Sequence, residues 1–356
     1  MTHNMVDVCA GRADSIRRRI TAQLGRAQAR FAGVSPWSAD VSARLAEFAC
    51  RGKLIRGNLV LLGVELAGGE PSEAAYDLAA ALELFHSSIL IHDDIIDQDA
   101  VRRGAPAVHA AYARRLDSEG CAAAQHLGAA LALCAGDIGF YLVFGAVAEA
   151  ALDDAHRMAM VRLWAHEFAA VAFAEMDDVS LASRPAPAAE ADILRCYRHK
   201  TARYTFCLPL RTGLTLAGAP EELCGRIEQI AERLGLVFQL KDDELDLFGQ
   251  AAETGKPVGS DIAQNKKTLY HHRLLTRTEG AVHARLAAVF GSHGLSPEDI
   301  AFVQQTAIET GVKAEIAAMA QRLAAEAGEL IEVLPVAAGL RSQLAELARF
   351  SLSRAR

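Results

Sequence analysis

Along most of this chain apolar residues return every three or four positions, the spacing that lines one face of an α-helix, and runs that alternate in strand fashion are scarce. The pattern predicts an all-α protein. A first helix is expected over residues 13–31, after a flexible stretch at 1–12, and a second from a cap at Ser38 to about Cys50. Pro209 should kink a later helix. Residues 183–190 (SRPAPAAE) form a short loop, and beyond about Ile300 come amphipathic support helices and a basic tail with Arg354 and Arg356.

Two apolar stretches end in acids. In residues 82–104 (LELFHSSILIHDDIIDQDAVRRG), Asp93 and Asp97 lie four apart and share a helix face, with Asp94 beside them and Arg102 and Arg103 just after. The same arrangement returns at KDDELD, where Asp242 and Asp246 share a face around Asp243, after the apolar segment 234–240. One such motif is usually a solvated helix face; two, each ending an apolar helix, can face each other across a helical cavity. Hard divalent cations take carboxylate oxygens and share substrate phosphates, and arginine forks grip the remaining phosphate oxygens. Two carboxylates about 6 Å apart repel by roughly 3 kcal/mol at an effective dielectric near 20, a cost that a bound cation removes. In RGKLIRG, Lys53 and Arg56 project from one side of a helix start, where backbone N–H groups also favour anions. Alone this is a basic turn; beside two acidic motifs it becomes a second candidate diphosphate site.

Composition narrows the classes. An apolar fraction of 51% over 356 residues supports a large buried core, and a net charge of −7 argues against nucleic acid as a partner. The seven cysteines form no metal spacing and read as buried thiols of a reducing, cytoplasmic compartment. Arg12, Arg17, Arg18 and Arg19 imitate a transit peptide, but Asp7 and Asp14 interrupt them, so an ordinary helix is expected. Residues 127–152 are long and apolar enough to cross a bilayer; Asp137 in the middle favours a bundle helix over an integral membrane segment.

Over residues 52–267 the chain resembles the trans-isoprenyl diphosphate synthases, which elongate allylic diphosphates with isopentenyl diphosphate. The resemblance rests on the two aspartate motifs, on RGKLIRG in place of GGKRxRP, on RRG at 102–104, on AEMDDV in place of GQxxD, on Lys200-Thr201 and on Phe238-Gln239. It implies one domain over residues 13–356, a bundle of about a dozen helices around a deep apolar cavity, and a homodimer. It implies magnesium, about three ions with manganese as a substitute, on Asp93, Asp94, Asp97, Asp242, Asp243 and Asp246, with Asp93 and Asp97 foremost in the first motif. Lys53, Arg56 and His86 would bind isopentenyl diphosphate, and Arg102 and Arg103 would each serve one diphosphate. Lys200, Lys256 and Lys266 would reach the allylic diphosphate, whereas Lys267 reads as a surface lysine. Thr201 and Gln239 would face the reacting carbons. Leu54, Gly57 and Glu175 depart from the pattern, standing where Arg, Pro and Gln are usual.

Product length follows from the helix that leads to Asp93. Farnesyl synthases carry aromatic residues four or five positions before that aspartate; here these are Ile89 and Ser88, and Phe85 lies deeper. The expected product is geranylgeranyl diphosphate, C20, with farnesyl and C25 products as alternatives. Ser88→Phe should shorten it and Phe85→Ala lengthen it. Phe140 or Tyr141 would narrow the same region. A terpene cyclase is disfavoured by the second all-aspartate motif and by Lys53 with Arg56, and a non-catalytic partner subunit by retention of both acidic sets.

Overall fold

The computed structural model describes residues 5–184, 186–249, 258–292 and 294–353, with side chains from residue 11 onward. Among them the chain is helical apart from one short hairpin, so the all-α reading holds. In order come α1 (Met5–Phe31), α2 (Trp37–Cys50), α3 (Ile55–Leu66), α4 (Glu73–Ile96), β1 (Val101–Arg102), β2 (Ala105–Pro106), α5 (Val108–Ser118), α6 (Ala124–Glu149) and α7 (Asp154–Ala182). Then follow α8 (Glu190–Tyr197), a π-helical stretch (Arg198–Cys207), α9 (Leu208–Leu216) and α10 (Glu221–Phe248). The last elements are α11 (Ser260–Ala263), α12 (Leu269–Arg277), α13 (Gly280–Val289), α14 (Pro297–Glu309), α15 (Val312–Glu332) and α16 (Ala338–Ser353).

Three expectations need correction. The first helix begins at Met5, well before Ala13. The second starts at Trp37 with Pro36 in the cap position, not at Ser38. The irregularity expected at Pro209 lies just before it, in the π-helical stretch, and Pro209 falls in the first turn of α9, where its missing N–H is tolerated. The N-terminal arginines are held by acids: Arg12 by Glu65, Arg17 by Asp14 at 3.0 Å, and Arg19 by Glu73 and Asp77. Of the described thiols Cys196, Cys207 and Cys224 are buried, but Cys134 is exposed.

The chain groups into two compact units, Met1–Leu163 with Pro209–Pro220, and Trp164–Leu208 with Glu221–Arg356. In the first, α4 starts where the Ser72 hydroxyl accepts the Ala75 N–H and buries Leu78, Leu82, Leu84, Phe85 and Ile91. It packs on α6, whose inner face is made of small residues such as Ala132, Ala135, Gly136 and Gly139. A β-carbon at Gly139 would lie 2.0 Å from Ser88 Oγ, so the two backbones approach as closely as glycine allows. In the second unit α10 is central, packed by the π-helical stretch, α15 and α16, over a core that includes Ile193, Val237, Leu240, Leu269, Leu274 and Ile316.

At Gly213 in α9 a β-carbon would meet the Val60 carbonyl oxygen at 2.0 Å, and backbone cannot swing away as a side chain can. Gly213→Ala is therefore expected to destabilise by about 3 kcal/mol. A thermal midpoint within a degree of the unaltered chain would contradict this.

Candidate active site

Helix α4 stops at its acids. The Asp97 N–H still bonds the Asp93 carbonyl at 2.8 Å, Gln98 turns left-handed (φ 57°), and the Asp99 N–H closes on the Asp94 carbonyl at 2.9 Å. Asp93 and Asp97 thus sit at the partially negative carbonyl end of a long helix, which adds to their attraction for a cation. Arg102 of β1 donates to Asp94 Oδ1 at 2.5 Å, Asp93 Oδ2 at 3.0 Å and Asp99 Oδ2 at 3.1 Å. Asp94 is fully buried, and its second oxygen has no hydrogen-bond partner among the described residues. Burial pushes its pKa up to about 7, with Arg102 pulling the other way. Arg102, expected on a diphosphate, is here a clamp on three acids.

The hairpin aims the next arginine. Arg103 and Gly104 both have positive φ (53° and 72°), the signature of a two-residue type I′ turn between Arg102 and Ala105. Glycine adopts that geometry freely, whereas Arg103 bears the strain of a left-handed side-chain residue. Its guanidinium donates to the Phe48 carbonyl at 2.7 Å and lies over the Phe48 ring.

Arg56, Arg102 and Arg103 all act on His86. Burial, then these three charges, hold its pKa well below the usual value, so the imidazole is neutral at pH 7. Nearby lies Glu83, 2% exposed, which accepts the Gly57 N–H at 2.7 Å. Burial raises its pKa, and Arg56 and Arg103 oppose that rise. Gly57 now has a reason: the proline that the resemblance leads one to expect there has no N–H to give. Leu54 is left-handed (φ 55°) at the cap of α3, and Lys53 is exposed just before it.

In the second unit Lys200 lies in the π-helical stretch, with its ammonium 2.6 Å from Asp178 and 2.8 Å from Glu175. Thr201 donates to Gln239 Oε1 at 2.5 Å, and Gln239 Nε2 donates to Asp243 Oδ1 at 2.8 Å. Tyr197 donates to Asp243 Oδ2 and accepts the Leu269 N–H at 3.1 Å. Asp243 is buried, and burial pushes its pKa up to about 7 against those two donors. Asp246 accepts from the Ser260 hydroxyl at 2.5 Å and the Asp261 N–H at 3.0 Å. Asp242 is exposed. Burial divides the six: Asp94 and Asp243 are buried, Asp93, Asp97 and Asp246 are half-buried, and Asp242 is exposed, with Asp93 and Asp246 also accepting protein donors.

Lys266 lines a void of about 10 Å³ with Asp243, Asp246 and Asp261. Lys256 lies outside the described residues. Lys267, read as a surface lysine, is 5% exposed and donates to Asn265 at 2.9 Å and His271 Nε2 at 3.1 Å. Among the described residues no three histidine, cysteine or acidic side chains make a ready metal cage. The oxygen donors present suit magnesium, which binds through one or two carboxylates, waters and substrate phosphates.

Of the chain-length residues, Ile89 is half-buried, and Phe85 is buried with its ring 5.3 Å from Phe140. Ser88 departs from expectation: it is fully buried, bonded to the Leu84 carbonyl at 3.0 Å, and wedged on Gly139. An aromatic ring there would strike α6, so the expected shortening by Ser88→Phe is withdrawn. Three participants escaped the sequence reading. Glu83 is a lone acid in an apolar helix, Tyr197 stands four residues before Thr201, and Asp261 follows a glycine and a serine at a helix start.

Each unit thus ends an apolar helix in acids, Asp93, Asp94 and Asp97 in the first and Asp242, Asp243 and Asp246 in the second. The polyprenyl synthetase family profile matches residues 40–307. The chain is 34% identical over 248 residues, 68% of each chain, to the short chain isoprenyl diphosphate synthase of Methanothermobacter thermautotrophicus. It is 34% identical over 227 residues, 61% of this chain and 64% of the relative, to the geranylfarnesyl diphosphate synthase of Aeropyrum pernix. The geranylgeranyl pyrophosphate synthase of Corynebacterium glutamicum, solved with isoprenyl diphosphate and magnesium, aligns with a TM-score of 0.91 at 29% identity, covering 96% of this chain and 98% of that one. The chain belongs to the polyprenyl synthetase family and is a trans-prenyltransferase.

The raised carboxyls carry a pH signature. Asp94 and Asp243 titrate near 7 when folded and near 3.8 when unfolded. Between those values the folded state binds more protons, so stability falls as pH rises from about 4 to about 7. In EDTA, Asp94→Asn should flatten that fall by a few kcal/mol in thermal melts taken across the range; parallel curves for both proteins would refute it.

Proposed function

We propose that this chain condenses isopentenyl diphosphate with an allylic diphosphate and delivers mainly geranylgeranyl diphosphate, C20. The observation that carries the reading is the division of labour within each motif. One aspartate is buried and anchored, Asp94 by Arg102 and Asp243 by Tyr197 and Gln239; Asp97, Asp242 and Asp93, which also takes Arg102 at 3.0 Å, are less buried and would turn to cations. Those three would hold magnesium, about three ions in all with substrate, or manganese in its place; the metal neutralises charge on the diphosphate as the C–O bond breaks. Lys200, Lys256 and Lys266 bind the allylic diphosphate, for which Lys200 must exchange Glu175 and Asp178 for phosphate oxygens. Arg56 and Arg103, with Lys53, orient isopentenyl diphosphate, and neutral His86 adds a hydrogen bond without a further charge. Thr201 and Gln239 supply dipoles beside the electron-poor carbon. The proton lost at the end goes to the departing pyrophosphate, since no basic side chain is evident for it.

Relatives carry several product names, so length is argued from this chain. Phe85 and Phe140, whose rings lie 5.3 Å apart and tilted by 45°, would form a floor beyond Ile89. Incubation with isopentenyl diphosphate and C5, C10 or C15 primers should give mainly C20 by mass. EDTA, Asp93→Ala or Asp242→Ala should abolish turnover, and Phe85→Ala should lengthen the product. Condensation undiminished in excess EDTA would sink the metal assignment, and an unmoved product the floor.

The enzyme is further proposed to be a cytoplasmic homodimer. On the outer face of α6, Leu127, Ile138 and Tyr141 are 41%, 39% and 76% exposed, on a helix apolar enough in length and composition to cross a membrane. Asp137, also exposed and 3.6 Å from His92, would be costly in lipid, which favours a second copy on this face. Ile138→Asp with Tyr141→Glu should convert a detergent-free dimer to monomer in light scattering. A monomeric unaltered chain that floats with lipid vesicles would overturn this.

A further inference from the structure

Four hydrogen bonds in the second unit run in a fixed direction. The chain starts at the backbone N–H of Leu269, which can only donate, and Tyr197 accepts it at 3.1 Å. A phenol has one proton, and that of Tyr197 goes to Asp243 Oδ2. A phenol keeps its proton at neutral pH, so this proton stays in place. The other oxygen of Asp243 takes Gln239 Nε2 at 2.8 Å. That bond fixes the amide: turned over, Gln239 would set its own oxygen against a carboxylate oxygen, acceptor to acceptor. Its Oε1 therefore faces Thr201, and the Thr201 proton must go to it, at 2.5 Å. Tyr197, Thr201 and Asp243 are 7%, 9% and 4% exposed, so solvent offers few competing partners.

We infer that Tyr197 is a positioning residue: through Asp243 and Gln239 it commits the Thr201 proton inward, leaving the hydroxyl oxygen to present lone pairs. An unconstrained hydroxyl rotates to suit its neighbours, and half its orientations would set a proton toward a developing cation. A hydroxyl held by this relay is an acceptor before substrate arrives, which is the electrostatic preorganisation that cation formation needs. Removing the Tyr197 oxygen orphans the Leu269 N–H and takes from Asp243 the donor that fixes its carboxylate plane, so Oδ1 can rotate away from Gln239 Nε2 and the amide loses the partner that orients it. The role rests on the function proposed above, since only a cation beside Thr201 gives its lone pairs a use.

The test is a double-mutant cycle in the full-length protein with magnesium, isopentenyl diphosphate and an allylic primer. Tyr197→Phe should lower kcat by about tenfold, with either KM moved by less than about twofold, because the loss is confined to the transition state. In a Thr201→Val background, where no hydroxyl remains to orient, the same change should have no further effect. Thr201→Ser keeps the hydroxyl and should keep the sensitivity. Equal losses in both backgrounds mark a merely structural role and overturn the inference, as does an unchanged kcat for Tyr197→Phe. Should Tyr197→Phe fail to fold by circular dichroism, Gln239→Leu breaks the same relay and must show the same dependence on Thr201. Failure of the unaltered chain to condense the two diphosphates would overturn the function and this role with it. An active unaltered chain with an additive cycle overturns this role alone.

Discussion

A carboxylate taken out of water must be answered by donors, and two such carboxylates organise both ends of this chemistry. Asp94 is answered by the guanidinium of Arg102, and Asp243 by the Tyr197 hydroxyl and the Gln239 amide. Each is held on the helix end that carries it, and Asp93, Asp97 and Asp242 lie within one turn of these anchored residues. The answer differs between the motifs in a way that matters. A charged partner offsets Asp94, whereas only neutral donors answer Asp243. The first motif is thus an electrostatic clamp and the second the head of a hydrogen-bond relay.

The basic residues obey the same rule from the other side. Arg56 is 9% exposed, and buried Glu83 both opposes its charge and caps the first turn of α3. His86, among three guanidiniums, gives up its proton, which keeps one more positive charge from accumulating. Arg103 is held in a left-handed turn that few side chains accept, with its guanidinium on the Phe48 carbonyl. Charge is offset where it is buried and left exposed where a phosphate could use it.

Much of this was legible in the sequence because the signals are local. Acids four apart at the end of an apolar helix, RRG, and Lys200-Thr201 can be read without knowing what packs on them, and the all-α class follows from periodicity alone. At the site the misreadings are matters of tertiary contact. Lys267 looks like its neighbour Lys266, and only the packing of Asn265 and His271 around it makes it a buried amine. Ser88 was read from its distance to Asp93 along the helix, but the side it faces depends on α6. The split of the aspartates into anchored and outward ones is likewise invisible in DDxxD, because the anchors, Arg102 apart, come from Tyr197 and Gln239 on other helices or other turns.

The contact of Ser88 with Gly139 also bears on how such a chain can diversify. A larger residue in a packed interface is commonly tolerated when a neighbour shrinks in exchange. At this crossing the neighbour is already glycine, with only backbone behind it, so position 88 has no compensating substitution within reach. Volume at the crossing of α4 and α6 is more readily exchanged at pairs such as Phe85 and Phe140, in which either ring can give up volume to the other. Two aromatic rings on neighbouring helices form an adjustable boundary, and a serine pressed on a glycine forms a fixed one.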